Sequence, residues 1–223
     1  MLRTTLDHQL AALRTAVLDT GALVTDALTR ASEALLRGDH ALAAGVIAAA
    51  DTIDRAALRV EELGAQVITL QQPAVGDLRA VLAALAIAQD LERMGDHAAG
   101  IARLVARVPS PAAPDAPTCQ ALRALATLVL VQAQDALAAY QADDARDARR
   151  VWQGDDAVDR LHAGLVATVM GAMRRATDAD TLTMDTYVLW SAHALERIAD
   201  RATTICERVV YIASGERHLQ IAS

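Results

Sequence analysis

The chain has 223 residues, 53% of them hydrophobic, with a net charge of −7. That is enough apolar material for a sizeable core. Aromatics make up only 2%, so Ala, Leu and Val supply the apolar surface and favour packed helices over sheet. The acidic balance, with no Arg-rich block, disfavours direct nucleic-acid binding.

All 21 basic residues are Arg; Lys and Asn are absent. We attribute this to compositional bias. No basic-then-apolar leader pattern stands at the N-terminus. No uninterrupted apolar stretch approaches the roughly 20 residues of a membrane span. The longest candidate, around Leu122–Val131, is broken by Arg123 and Thr127. These features predict a cytoplasmic protein without membrane insertion. Cys119 and Cys206 have no metal-like spacing and are read as reduced, partly buried thiols.

Six helices are predicted in chain order: 3–37, 39–71, 74–108, 118–141, 143–176 and 179–214. Gly38-Asp39 stops the first and caps the second. Gln72-Pro73 separates the second from the third. The segment Pro109-Ser-Pro111-Ala-Ala-Pro114-Asp-Ala-Pro117 cannot continue a helix and reads as a linker over 109–117. It divides the chain into 1–108 and 118–223. Asp143 and Asp178 are predicted caps, and Gly215 a predicted stop.

The two halves repeat each other. Glu92-Arg-Met-Gly-Asp96 recurs as Glu196-Arg-Ile-Ala-Asp200, a shift of 104 (196 less 92). Asp51-x-Ile53-Asp54 recurs as Asp156-x-Val158-Asp159, a shift of 105 (156 less 51). At 100° per residue, Ile87, Leu91, Met94, Ala98, Ile101 and Val105 form one apolar arc, opposite Glu92, Asp96, Gln89 and Arg103. In the sixth helix Leu195, Ile198, Ala202, Ile205 and Val209 oppose Glu196, Asp200, Thr203 and Glu207. In the second, Val46, Ile53, Ala57, Val60 and Val67 oppose Asp51, Asp54, Glu61 and Glu62.

Two carboxylates at i, i+4 repel unless water or a cation neutralises them. A solvated face and an oxygen-liganded cation are therefore both open readings of these faces. The Glu-x-x-His pattern of di-iron bundles is missing from both halves. His97 follows Asp96, but its counterpart is Arg201, so it is read as structural. No phosphate-cradling glycine loop or nucleophile–base pattern stands out, and no catalytic role is predicted.

Two longer stretches carry a resemblance. They are Leu70-Gln-Gln-Pro73-Ala-Val-Gly-Asp77-Leu-Arg79, running on to Asp90-Leu-Glu92-Arg-Met-Gly-Asp96-His-Ala, and Leu195-Glu196-Arg-Ile-Ala-Asp200 through Glu207, Tyr211 and Gly215-Glu. Together with Ala34–Asp39, they resemble the two repeats of the PhoU family of phosphate-transport accessory and regulatory proteins. The resemblance covers nearly the whole chain. It implies an all-α fold of two tandem three-helix bundles related by internal pseudo-symmetry.

It further implies a multinuclear iron or zinc cluster held by Glu92 and Asp96 in one half and Glu196 and Asp200 in the other. Asp51, Asp54, Asp156 and Asp159 are companions. The implied role is a non-enzymatic negative regulator of the phosphate regulon. It would link the ATPase subunit of a phosphate ABC transporter to a sensor histidine kinase. A homodimer is expected from the long Ala-rich helices. Alternatives are a metal storage or redox carboxylate protein and an accessory subunit of a different phosphate transporter. The departures are Ala199 in the second repeat for Gly95 in the first, Arg201 for His97, Thr204 and Gly100 where the family has Asn, and Arg103 in the first repeat for Glu207 in the second.

Overall fold

The computed structural model describes residues 2–108, 113–216 and 219. Seven helices form among them: α1 (Leu2–Arg37), α2 (His40–Gln71), α3 (Val75–Val105), α4 (Ala116–Ala142), α5 (Ala145–Gln153), α6 (Asp155–Met173) and α7 (Ala179–Ser214). No strand occurs among the described residues.

Helices α2, α4, α5 and α7 begin on aspartates. Asp39, Asp115 and Asp178 each accept a bond from the backbone N–H three residues on, at 2.8–2.9 Å. That satisfies one of the N–H groups a helix start leaves open. Gln72 and Gly215 end α2 and α7 in the left-handed conformation. Gly215, at φ 79°, is the residue type that adopts it without strain.

Three expectations are corrected. First, the predicted fifth helix over 143–176 is two helices meeting at Gly154. There the chain turns through short bonds, Gly154 N–H to Val151 O and Ala157 N–H to Gly154 O. A Cβ at Gly154 would stand 3.2 Å from Val151 O, and Asp155-Asp156 then opens α6 with negative charge at its positive end. Second, Asp143 is not the cap. It ends α4 with φ 52°, and Asp144 receives the N–H groups of Arg146 and Asp147. Third, α4 starts at Ala116, so Pro117 lies inside its first turn, where a missing N–H is harmless. Linker residues 109–112 lie outside the described residues.

Helices α1, α2 and α3 pack on one another, and α4 to α7 form the second group, with α5 and α6 together standing where α2 stands in the first. The predicted apolar arcs of α2, α3 and α7 are all buried. Two crossings join the halves. Helices α3 and α7 run antiparallel: Asp90 meets Arg201 at mid-length, and Arg79 near the start of α3 lies beside Gly215 at the end of α7. Helices α1 and α4 also cross. Arg14 bonds Asp143 at 2.6 Å and Gln141 O at 3.3 Å, and lies over the Tyr140 ring.

By length and composition α4 alone among the described helices could cross a membrane. In this fold its apolar residues Leu122, Leu125, Val129 and Leu137 are buried against neighbouring helices.

Candidate functional site

The tight approach of α2 to α3 sets the first acidic face. Gly95 has no Cβ; one built there would stand 2.9 Å from Ile53 Cγ2. Ile53 is flanked by Asp51 and Asp54, and Gly95 by Asp96 and the nearby Glu92. The four carboxylates therefore sit at one level on adjoining helices. Asp51, Asp54 and Asp96 are exposed and Glu92 is half-buried.

In the second half, α6 and α7 carry the equivalent face. His162 Nδ1 on α6 lies 3.5 Å from Glu196 Oε1 on α7, and His193 Nδ1 lies 2.9 Å from Glu196 Oε2. Asp200 is paired with Arg197 at 3.5 Å. Asp156 and Asp159 are exposed. Beside them, Asp155 is half-buried and accepts a bond from Gln132 Nε2 at 3.1 Å. Burial pushes the Asp155 carboxyl above its ordinary value; the Gln132 bond opposes this, and the charges of Asp159, Asp200 and Asp156 add to it. The second face is thus one electrostatically coupled patch.

Among the described residues, no three His, Cys, Asp or Glu side chains converge as a metal-ligand group. Glu196 is already engaged by imidazoles and Asp200 by a guanidinium. The carboxylates in this arrangement do not fit a preformed iron or zinc centre.

The seam between α3 and α7 holds a pair that the sequence reading missed. Asp90 is 6% exposed, and Arg201 Nη1 donates to its Oδ1 at 3.4 Å. Burial pushes the Asp90 carboxyl above its ordinary value, and the charge and hydrogen bond of Arg201, then Arg208 and Arg93, pull it back. Asp90 does fall on the apolar arc, three residues after Ile87 and four before Met94, and that was the available signal. By the repeat offset of 104, its counterpart is Ala194 and that of Arg201 is His97. The ion pair therefore forms once, not twice. His97, half-buried, is held below its ordinary value by burial first, then by Arg197 and Arg201, against Asp96. Both thiols are free; Cys119 is half-buried as expected, whereas Cys206 is fully buried rather than partly so.

An all-α protein built as two repeated helical bundles, with a carboxylate face on each, is the class this geometry defines. The model of the PhoU domain matches the chain twice, over residues 17–105 and 122–209. The chain belongs to the PhoU family. It is 34% identical over 217 residues to the phosphate-specific transport system accessory protein PhoU homolog of Streptococcus pneumoniae, covering 96% of this chain and 98% of that one. Its fold is similar to the crystal structure of the phosphate transport system regulatory protein PhoU from S. pneumoniae, with TM-score 0.87 and 30% identity over 96% of this chain and 100% of that one. It is also similar to PhoU from Pseudomonas aeruginosa, with TM-score 0.84 and 29% identity over 94% and 99% of the two chains.

Proposed function

We infer that this chain is a non-enzymatic accessory and regulatory protein of phosphate transport. It acts by protein–protein contact, linking the ATPase subunit of a phosphate ABC transporter to the cytoplasmic domain of a sensor histidine kinase. Through that link it limits uptake and starvation signalling when phosphate is plentiful. The reading assigns it to the cytoplasm, as a homodimer.

The observation that carries the reading is the twofold helical platform. Each half offers a partly exposed carboxylate face, and relatives of nearly the same length are phosphate-transport accessory or regulatory proteins. Exposed charge of this kind steers association and selects partners more than it adds affinity.

The test is a pull-down of the full chain against the ATPase subunit and the kinase cytoplasmic domain, with and without chelator. Capture of both supports the adaptor. Capture of neither, in either condition, removes it and favours a different phosphate transporter as partner.

The metal reading is narrower. Supporting it are carboxylates on adjacent helices and the mutual repulsion around Asp155. An iron or zinc cluster on Glu92, Asp96, Asp51 and Asp54, or on Glu196, Asp200, Asp156 and Asp159, requires these side chains to leave their present positions. The adaptor reading does not depend on it.

A further inference from the structure

A cavity of about 330 Å³ opens where the start of α4 meets the turn between α6 and α7. Asp115, Arg175, Asp178, Asp180 and Asp185 line it. Asp115 and Asp178 have structural duties, each capping the helix that follows it. Asp185 has none. It is 3% exposed, and its Oδ2 is buried without a hydrogen-bond partner. A buried carboxylate oxygen left unbonded is destabilising, so a charge kept at such a position points to a role other than packing.

The internal repeat sharpens the point. Moved back by the offset of 104, Asp185 becomes Val81, a fully buried core residue. The same helical position is apolar in one copy and a carboxylate in the other. Packing therefore does not demand the charge.

The lining defines the occupant. Four carboxylates face one guanidinium, so a cation is favoured. Among the described residues, no three His, Cys, Asp or Glu side chains converge there, which disfavours a bare metal ion. The volume sits at the lower end of small-ligand pockets. Ala172 and Met184 offer an apolar wall for a short alkyl chain.

We propose that this cavity binds a small organic cation whose ammonium or guanidinium group donates a hydrogen bond to the Asp185 carboxylate in its wall. The site lies apart from both carboxylate faces and does not rest on the adaptor reading.

The test uses the full chain. n-Butylammonium and methylguanidinium chlorides are titrated by calorimetry and by thermal unfolding, against tetramethylammonium chloride at equal ionic strength. The first two bind and stabilise; tetramethylammonium, with equal charge and no N–H, does not. The near-isosteric Asp185→Asn, its helicity checked by circular dichroism, weakens binding about tenfold or more. Asp26→Asn, on the exposed side of α1 and outside the cavity lining, leaves it unchanged. Arg175→Gln, which removes the competing cation, strengthens it. No binding by the native chain, equal binding by Asp185→Asn, equal stabilisation by tetramethylammonium, or weaker binding by Arg175→Gln each overturns the proposal.

Discussion

Arg201 of α7 reaches across the seam between the two repeats to Asp90 of α3, with Nη1 3.4 Å from Oδ1. The pair breaks the internal symmetry, since the equivalent positions are His97 and Ala194. It sets a nearly buried carboxylate into the crossing, where Arg208 and Arg93 also lie within electrostatic reach. A buried ion pair adds little to stability, but removing one member is costly.

Arg201→Met should therefore destabilise by about 1–3 kcal/mol, the cost of leaving a buried acceptor unsatisfied. Asp90→Ala combined with Arg201→Met should cost less than Arg201→Met alone. Urea unfolding of the two variants measures this. The single-variant loss should shrink in acid, because a protonated Asp90 no longer needs the guanidinium.

Asp185 supplies a pH signature. Burial, then the charge of Asp115, raises its carboxyl above the ordinary 3.8, and Arg175 opposes. A raised carboxyl binds its proton more tightly in the folded state. Its contribution to stability is thus fully present below 3.8 and lost as pH rises through the folded value. Asp185→Val should then be more stable than the native chain at neutral pH, by about 1 kcal/mol or more, with the advantage fading in acid. Thermal unfolding from mildly acidic to neutral pH checks the sign. An advantage that grows in acid contradicts the argument.

Gly95 and Ile53 share one space. A methyl at Gly95 lies 2.9 Å from Ile53 Cγ2 and 3.0 Å from its Cδ1, so Gly95→Ala should cost about 1–3 kcal/mol through overpacking. The second repeat carries Ala199 and Val158 at the corresponding positions, a larger residue matched with a smaller one. Adding Ile53→Val to Gly95→Ala should recover part of the loss. Denaturant midpoints of the three variants decide it.

The carboxylate faces make a compositional prediction. If the carboxylates rearrange to take up iron or zinc, Glu92→Ala with Asp96→Ala should lower the bound metal in the purified protein while helicity stays intact. Elemental analysis beside circular dichroism is the measurement. Unchanged metal content would make the face an ordinary solvated surface.

The thiols should separate by reactivity. Burial pushes Cys206 up to about 12, and it is fully enclosed. Cys119 is raised by burial too but remains half-open. A thiol reagent at neutral pH should label Cys119 slowly and Cys206 only on unfolding, as mass spectrometry of labelled peptides will report.

Much of the fold was legible because helical periodicity is local. The arcs through Ile87, Met94 and Val105 and through Leu195, Ile198 and Val209 are buried as read. Asp39, Asp178 and Gly215 cap as their chemistry requires. The break at Gly154 was missed because apolar spacing continues across it; Gly followed by two aspartates was the signal. The positions of the acidic faces were legible for the same local reason. Their engagement was not: Glu196 meets His162 only because α6 and α7 pack together.

By itself, the sequence determined a duplicated all-helical chain, the phase of each helix, and a carboxylate face on each repeat. These follow from spacing within a few turns and from one offset repeated along the chain. Only the tertiary structure decided that α3 and α7 cross antiparallel, that Asp90 finds Arg201, and that Asp185 comes to line a cavity. Periodicity tells a helix which face to bury; it carries no information about which distant helix will cover it.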